Sequence, residues 1–126
     1  MFDINLHSRK LPDTCRLKSP GQFSSVFKAA NRKGGRFFTL FILRRDDNLV
    51  PRLGVAVAKR FFKRAHERNR LKRLVRENFR IHKETLVGLD VVIVMKKEAS
   101  LCTNREFSDS LRHAWSKLPI TLKRSV

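Results

Sequence analysis

Residues 59–83 read KRFFKRAHERNRLKRLVRENFRIHK. Eleven lysines and arginines stand in this stretch, opposed only by Glu67 and Glu77, so it carries +9, half of the chain's +18. At about 100° per residue, Leu71, Leu74, Val75 and Phe79 fall on one side of a helix. Lys72, Arg73, Arg76 and Arg80 fall on the other, around Asn69, with Arg68 and Arg70 on the two borders. One face can pack on a core while the other meets a polyanion. Helix formers dominate and no Gly or Pro interrupts the run, so the pattern predicts a helix across it. Charge runs are most often solvated faces, but such faces mix Glu with Lys to gain i,i+4 pairs. Here like charges stack three and four residues apart, a self-repulsion that a bound polyanion relieves.

Outward from this segment the chain alternates strands and helices. Leu53–Ala58 (LGVAVA) precedes it as a strand, and Phe37–Leu43 (FFTLFIL) precedes that, the two joined as a hairpin. Phe37, Thr39 and Phe41 share one face of their strand; Phe38, Leu40 and Ile42 share the other. Asp46, Asp47, Asn48 and Pro51 mark the loop between, and Asn31–Arg36 (NRKGGR) reads as a turn. Downstream, Gly88 ends the basic helix, and Val91–Met95 (VVIVM) has the continuous β-branched run of a strand buried on both faces. A first helix starts near Ser19, with Pro20 in its first turn and Gln22 completing a capping box. Phe23, Val26, Phe27 and Ala30 form its apolar stripe, which serves either core packing or stacking on unpaired bases. Thr103 and Glu106 form a second capping box, opening a last helix whose face is Phe107, Leu111, Ala114, Trp115 and Leu118 and which Pro119 closes. The order is helix, strand, strand, basic helix, strand, helix: a single-domain α+β two-layer sandwich. Residues 1–126 are expected to form a single domain, read below as RNA-binding, with 1–18 a polar lead-in and 120–126 a short basic tail.

A pI near 11.4 points to RNA, DNA or an anionic membrane. No apolar run approaches the ~20 residues of a membrane span, and MFDINLHSRK lacks the apolar stretch of a signal peptide. Cys15 and Cys102 lie far apart without a partner motif, as reduced thiols of a cytoplasmic protein do. No CxxC occurs, and His7, His66, His82 and His113 have no ligand spacing, so no protein-bound metal is expected. Asp46-Asp47-Asn48 reads as turn capping. Two-metal nuclease chemistry needs a carboxylate cluster, and the eleven acidic residues are scattered. No general acid–base pair assembles either. His66 beside Glu67 reads as an RNA contact or a helix-start residue.

The run Arg68-Asn69-Arg70-Leu71-Lys72-Arg73, followed by Leu74 and Arg76, resembles the RNR signature of the bacterial ribonuclease P protein component family. Phe23-Ser24-Ser25-Val26-Phe27 is similar to that family's F-x-x-V-F first helix, and Gly54–Arg60 to its strand entering the basic segment. Val91–Lys97 and Asn104–Lys117 are similar to its last strand and helix. The resemblance implies a fold like domain 2 of ribosomal protein S5, with a left-handed βαβ crossover through the basic helix. It implies a protein that joins a large catalytic RNA and assists removal of the 5′ leader from precursor tRNA, without a further protein partner. The chemistry, with its Mg²⁺, would belong to the RNA. By the same resemblance Lys59, Arg60, Arg68, Asn69, Arg70 and Arg73 would face the RNA subunit. Phe23, Phe27, Phe41, Lys72 and Arg76 would line a cleft for the single-stranded leader. The family often has Tyr near position 41, where Phe keeps the stacking surface but offers no hydroxyl. Two other readings share the charge: a ribosomal or RNA-chaperone binding module, from which the RNR and F-x-x-V-F motifs separate this chain, and a stand-alone protein nuclease, which the missing carboxylate cluster disfavours.

Overall fold

The computed structural model describes residues 11–28, 31–45 and 50–123. Seven elements follow in order: α1 (Pro20–Lys28), β1 (Asn31–Gly34), β2 (Phe38–Arg44), β3 (Arg52–Ala56), α2 (Ala65–His82), β4 (Leu89–Met95) and α3 (Asn104–Lys123). Ala30, Asp46, Asp47, Asn48, residues 1–10 and residues 124–126 lie outside the described residues.

Both anticipated capping boxes form. Ser19 Oγ accepts the Gln22 N–H at 3.1 Å, and Gln22 Oε1 accepts the N–H groups of Ser19 and Lys18. Thr103 and Glu106 exchange the equivalent pair at 2.9 and 3.1 Å. Each satisfies N–H groups that a helix start otherwise leaves unpaired.

The sheet order is β1-β2-β4-β3, with β4 antiparallel to β2 and parallel to β3. This corrects the expected hairpin between β2 and β3. β4 separates them, because an apolar strand buried on both faces takes the centre of a sheet. Asn31–Gly34 is likewise a strand rather than a turn, pairing with β2 so that Arg32 faces Phe41 across the ladder. Its charged residues suit an exposed edge. The turn itself is shorter: Gly35 N–H donates to Phe38 O at 2.8 Å.

α2 and α3 cover one face of the sheet and α1 the other. Leu71, Leu74, Val75 and Phe79 enter the larger core with Phe107, Leu111, Trp115, Leu40, Ile42, Val91 and Ile93. On the α1 side Leu17, Val26 and Val92 are buried under Phe23, Phe41 and Leu43. Phe37 departs from the expected alternation. It precedes β2, and its ring packs 6.4 Å from Phe107 on the main-core side.

The lead-in is more structured than its polarity suggests. Leu11, Cys15 and Leu17 are buried, and Arg16 bridges in parallel to Leu53 at the free edge of β3. Leu53 turns its side chain to the α2–α3 side, while its carbonyl accepts Leu17 N–H at 2.9 Å on the edge away from β4. For an L-residue on a strand running upward, side chain toward the viewer, N–H and C=O point right. From the helix side β4 is therefore left of β3. The β3–α2–β4 crossover is left-handed, as the resemblance implied and against the general preference.

Two helix limits also differ. α2 begins at Ala65, and Lys59–Arg64 form a looped entry in which Ala58 O accepts the N–H groups of Phe61 and Phe62. Phe62 is fully buried, so this loop is pulled from helical register by a core anchor. α3 continues through Pro119 to Lys123, taking in the first residues assigned to a tail. A proline removes one backbone hydrogen bond, which bends a helix without necessarily ending it.

Candidate nucleic-acid interface

Phe27 and Phe41 meet edge to face with ring centroids 5.0 Å apart, and Phe27 keeps 43% of its surface exposed. The Arg32 guanidinium lies 5.6 Å from the Phe41 ring centroid. One turn back on α1, the Phe23 ring packs against Gly54 of β3. A Cβ at Gly54 would stand 2.5 Å from its ring, so only glycine admits this approach. Phe23 and Phe41 pack on the same small cluster of Leu17, Val26 and Val92, which makes the three rings one surface.

Beside it runs a file of cations on α2. Arg68, Lys72, Arg76 and Arg80 are four residues apart and share one side of the helix. Arg76 lines a cleft of about 150 Å³ together with Phe23, Gly54, Val55 and Arg16. Burial pushes the Lys72 ammonium below the usual lysine range, and the neighbouring Arg76 and Arg68 push it further. A cation whose charge is disfavoured by both desolvation and like charges is stabilised by any anion that arrives. Phe23, Phe27 and Phe41 thus form one surface on the α1 face, Arg76 shares a cleft with Phe23, and Lys72 stands one turn before Arg76 on α2.

The other group divides. Asn69 and Arg73 project to solvent from α2, and Lys59 and Arg60 from its looped entry, Arg60 over the Phe61 ring at 4.8 Å. Arg68 turns back instead. Its Nη1 donates to Phe62 O at 2.7 Å and Lys63 O at 3.0 Å, tying the loop to the helix. Arg70 donates to Asn104 Oδ1 at the start of α3. Arg70 also counters, in part, the burial that raises the thiol pKa of Cys102. α2 starts at Arg64 without a side-chain cap, so its first N–H groups add to the positive end of the helix. His66 is exposed in that first turn.

Arg16, Arg32 and Phe61 escaped the sequence reading. Arg32 was hidden by taking β1 for a turn; strand register is what sets it opposite Phe41. Arg16 lay in the polar lead-in, and Phe61 in a segment read as helix.

Three acidic residues are committed elsewhere. Asp90 is buried in β4, where Arg52 binds both its oxygens at 2.9 and 2.7 Å and Arg45 binds one at 2.6 Å. Asp109 pairs with Arg112 and Arg105, and Glu106 serves the α3 cap. Among the described residues no three His, Cys, Asp or Glu could hold a metal ion. Cys15 and Cys102 are buried free thiols. No helix among the described residues is long and apolar enough to cross a membrane.

A profile of the family described as Ribonuclease P matches residues 11–119. The chain belongs to the ribonuclease P protein family. It is 43% identical over 107 residues to the ribonuclease P protein component of Pectobacterium atrosepticum, covering 84% of this chain and 88% of that one. The same component from Pseudoalteromonas atlantica is 40% identical over 121 residues, covering 96% and 97%. The solved RNase P protein of Staphylococcus aureus superposes with a TM-score of 0.75 at 27% identity, over 81% of this chain and 93% of that one. That of Thermotoga maritima gives 0.72 at 27%, over 82% and 96%. As a ribonuclease P protein the chain is a subunit of a tRNA-processing endoribonuclease, and a free-standing ribosomal or chaperone module is not the favoured account.

Proposed function

We propose that this ribonuclease P protein binds the ribonuclease P RNA through one end of α2 and the 5′ leader of precursor tRNA through the aromatic surface beside it. Lys59, Arg60, Asn69 and Arg73 offer an exposed cationic edge to a structured phosphate backbone, with Arg68 and Arg70 bracing the elements that carry it. Phe23, Phe27 and Phe41 offer faces to unpaired bases, and Lys72 and Arg76 reach the phosphates between them. The open Phe27–Phe41 pair, contiguous with the cleft that Arg76 lines, carries this reading. A leader is the part of precursor tRNA whose bases are unpaired, and mature tRNA lacks it.

The phosphodiester cleavage and its Mg²⁺ are assigned to the RNA subunit. Among the described residues Asp90, Asp109 and Glu106 are held by arginines or a helix cap, which supports that assignment. The assembly needs no other protein and works in the cytoplasm, where Cys15 and Cys102 stay reduced.

The test is binding by the complex reconstituted with ribonuclease P RNA. Replacing Phe27 and Phe41 together by Ala is expected to weaken precursor tRNA binding by about 1–3 kcal/mol and leave mature tRNA unaffected. Equal weakening for both tRNAs, with a lowered melting temperature, would assign the two rings to packing.

A further inference from the structure

Strand register aligns Gly54, Val92, Phe41 and Arg32 in one row across β3, β4, β2 and β1. Directly opposed residues of neighbouring strands point to the same face. The row therefore lies on the α1 side, where Phe41 and Val92 pack. α1 follows it: Phe23 meets Gly54 on β3, and Phe27, one turn on, meets Phe41 on β2. Arg32 ends the row on the outermost strand of the sheet. Its side chain is exposed, and its guanidinium rests 5.6 Å from the Phe41 ring centroid. Lys33 beside it is opposed to Leu40 and faces the other way. Arg36 and Arg60 also lie over rings, but Phe37 is buried in the main core and Phe61 has no ring partner among the described residues. Among those residues, only Arg32 sits over a ring of the open Phe27–Phe41 pair, and no carboxylate pairs with it.

We propose that Arg32 takes a phosphate of the single-stranded leader at the β1 edge, with the Phe41 ring as its seat. The proposal rests on the leader-binding reading and carries the leader's track to the end of the sheet opposite β3. The row spans three strand spacings, roughly 14 Å, so this phosphate is a different one from any held beside Gly54. A guanidinium laid against a ring keeps its charge and the donors on its rim, and it sheds water more readily than an ammonium. The ring's attraction for the cation limits where that charge can stand. Less side-chain freedom is then lost when a phosphate arrives. A charge that only guarded the sheet edge against pairing would serve as well over open solvent, with no ring beneath it.

The experiment uses the reconstituted complex with Arg32→Gln, Arg32→Lys and the unaltered chain. Affinity is measured for precursor tRNA, mature tRNA and the RNA subunit over a range of salt. Arg32→Gln is expected to weaken precursor binding about tenfold, as loss of a hydrogen bond to a charged group does. It should reduce the salt slope for precursor by about 0.7, the share of one single-strand phosphate. Mature tRNA, the RNA subunit and the melting temperature should be unaffected, because the side chain is exposed on an edge strand. Arg32→Lys should keep the salt slope and lose part of the affinity, because an ammonium does not lie flat on the ring. Leaders carrying a neutral methylphosphonate at successive positions then locate the contact. At one position the modified leader should bind the unaltered chain and Arg32→Gln equally. A defect that persists at every position would mean that Arg32 holds no leader phosphate. If the Phe27/Phe41 variant discriminates against precursor while Arg32→Gln binds it like the unaltered chain, the Arg32 contact is wrong and the leader surface stands. If neither variant discriminates, the leader-binding reading itself is wrong. Equal loss for both tRNAs, or loss of RNA-subunit binding, would place Arg32 against another part of the complex and overturn the proposal.

Discussion

Gly54 shows how one missing side chain shapes a binding surface. An alanine methyl there would meet Phe23 ring carbons at 2.5 and 2.7 Å, well inside contact, so the ring must lift. Gly54→Ala is expected to leave the fold intact with a slightly lower melting temperature, and to cut precursor tRNA affinity while sparing mature tRNA. Unchanged precursor affinity would show that the height of Phe23 does not matter. Lys72 supplies a pH signature. Its pKa is lowered in the folded chain by burial first, then by Arg76 and Arg68. Between that lowered value and 10.5, the unfolded chain binds more protons, so stability should rise with pH through this window. A bound phosphate reverses the shift, so leader binding in that window should take up a proton. Lys72→Met should remove both effects, read by melting temperature against pH and by calorimetry in buffers of different ionisation heat. Asp90 carries no signal in the sequence that names its partners. Its two arginine partners come from 38 and 45 positions away, a pairing that no local pattern announces.

At the scale of elements, the sequence is most legible where one period dominates. The four buried residues of α2 are those its 3.6-residue pattern selects, and β4 is buried as its β-branched run requires. The cleft was legible through motif resemblance, because Phe23 and Phe41 are brought together by α1 lying across the sheet, which spacing alone does not dictate. What escaped was set by tertiary contacts. β1 is polar and glycine-ended, and is a strand only because β2 offers it a ladder. The 59–64 entry leaves the helix because Phe62 is drawn into the core. That loop depends on Arg68, whose Nη1 donates to two carbonyls in directions that the planar guanidinium fixes and a freely rotating ammonium does not. Arg68→Lys keeps the charge, yet it is expected to weaken RNA-subunit binding several-fold and to speed amide exchange at residues 59–63. An Arg68→Lys chain that binds and exchanges like the unaltered one would leave Arg68 a simple phosphate contact.

The whole molecule carries +18 on 126 residues, and its cations are gathered along α2 rather than spread evenly. Two consequences follow, and they separate binding from folding. RNA binding releases condensed counterions, so neutralising about six to ten phosphates should cost ~10³–10⁵ in affinity between ~50 and ~200 mM salt. A binding constant that ignores salt would reject this electrostatic account. The free chain has no such partner, and its self-repulsion opposes compaction. An anion that occupies the α2 surface binds the folded chain and not the unfolded one, so it stabilises by mass action. Sulfate and a short single-stranded RNA are therefore expected to raise the melting temperature in a saturable manner. Chloride at equal ionic strength should raise it less, because screening alone acts without sites. Titrating sulfate at constant ionic strength separates the two contributions. If the melting temperature then stays flat, screening suffices and the α2 surface has no specific affinity for anions. If it rises and saturates, repeating the titration with Lys72→Met and with Arg73→Gln tells which part of the α2 surface the anion occupies.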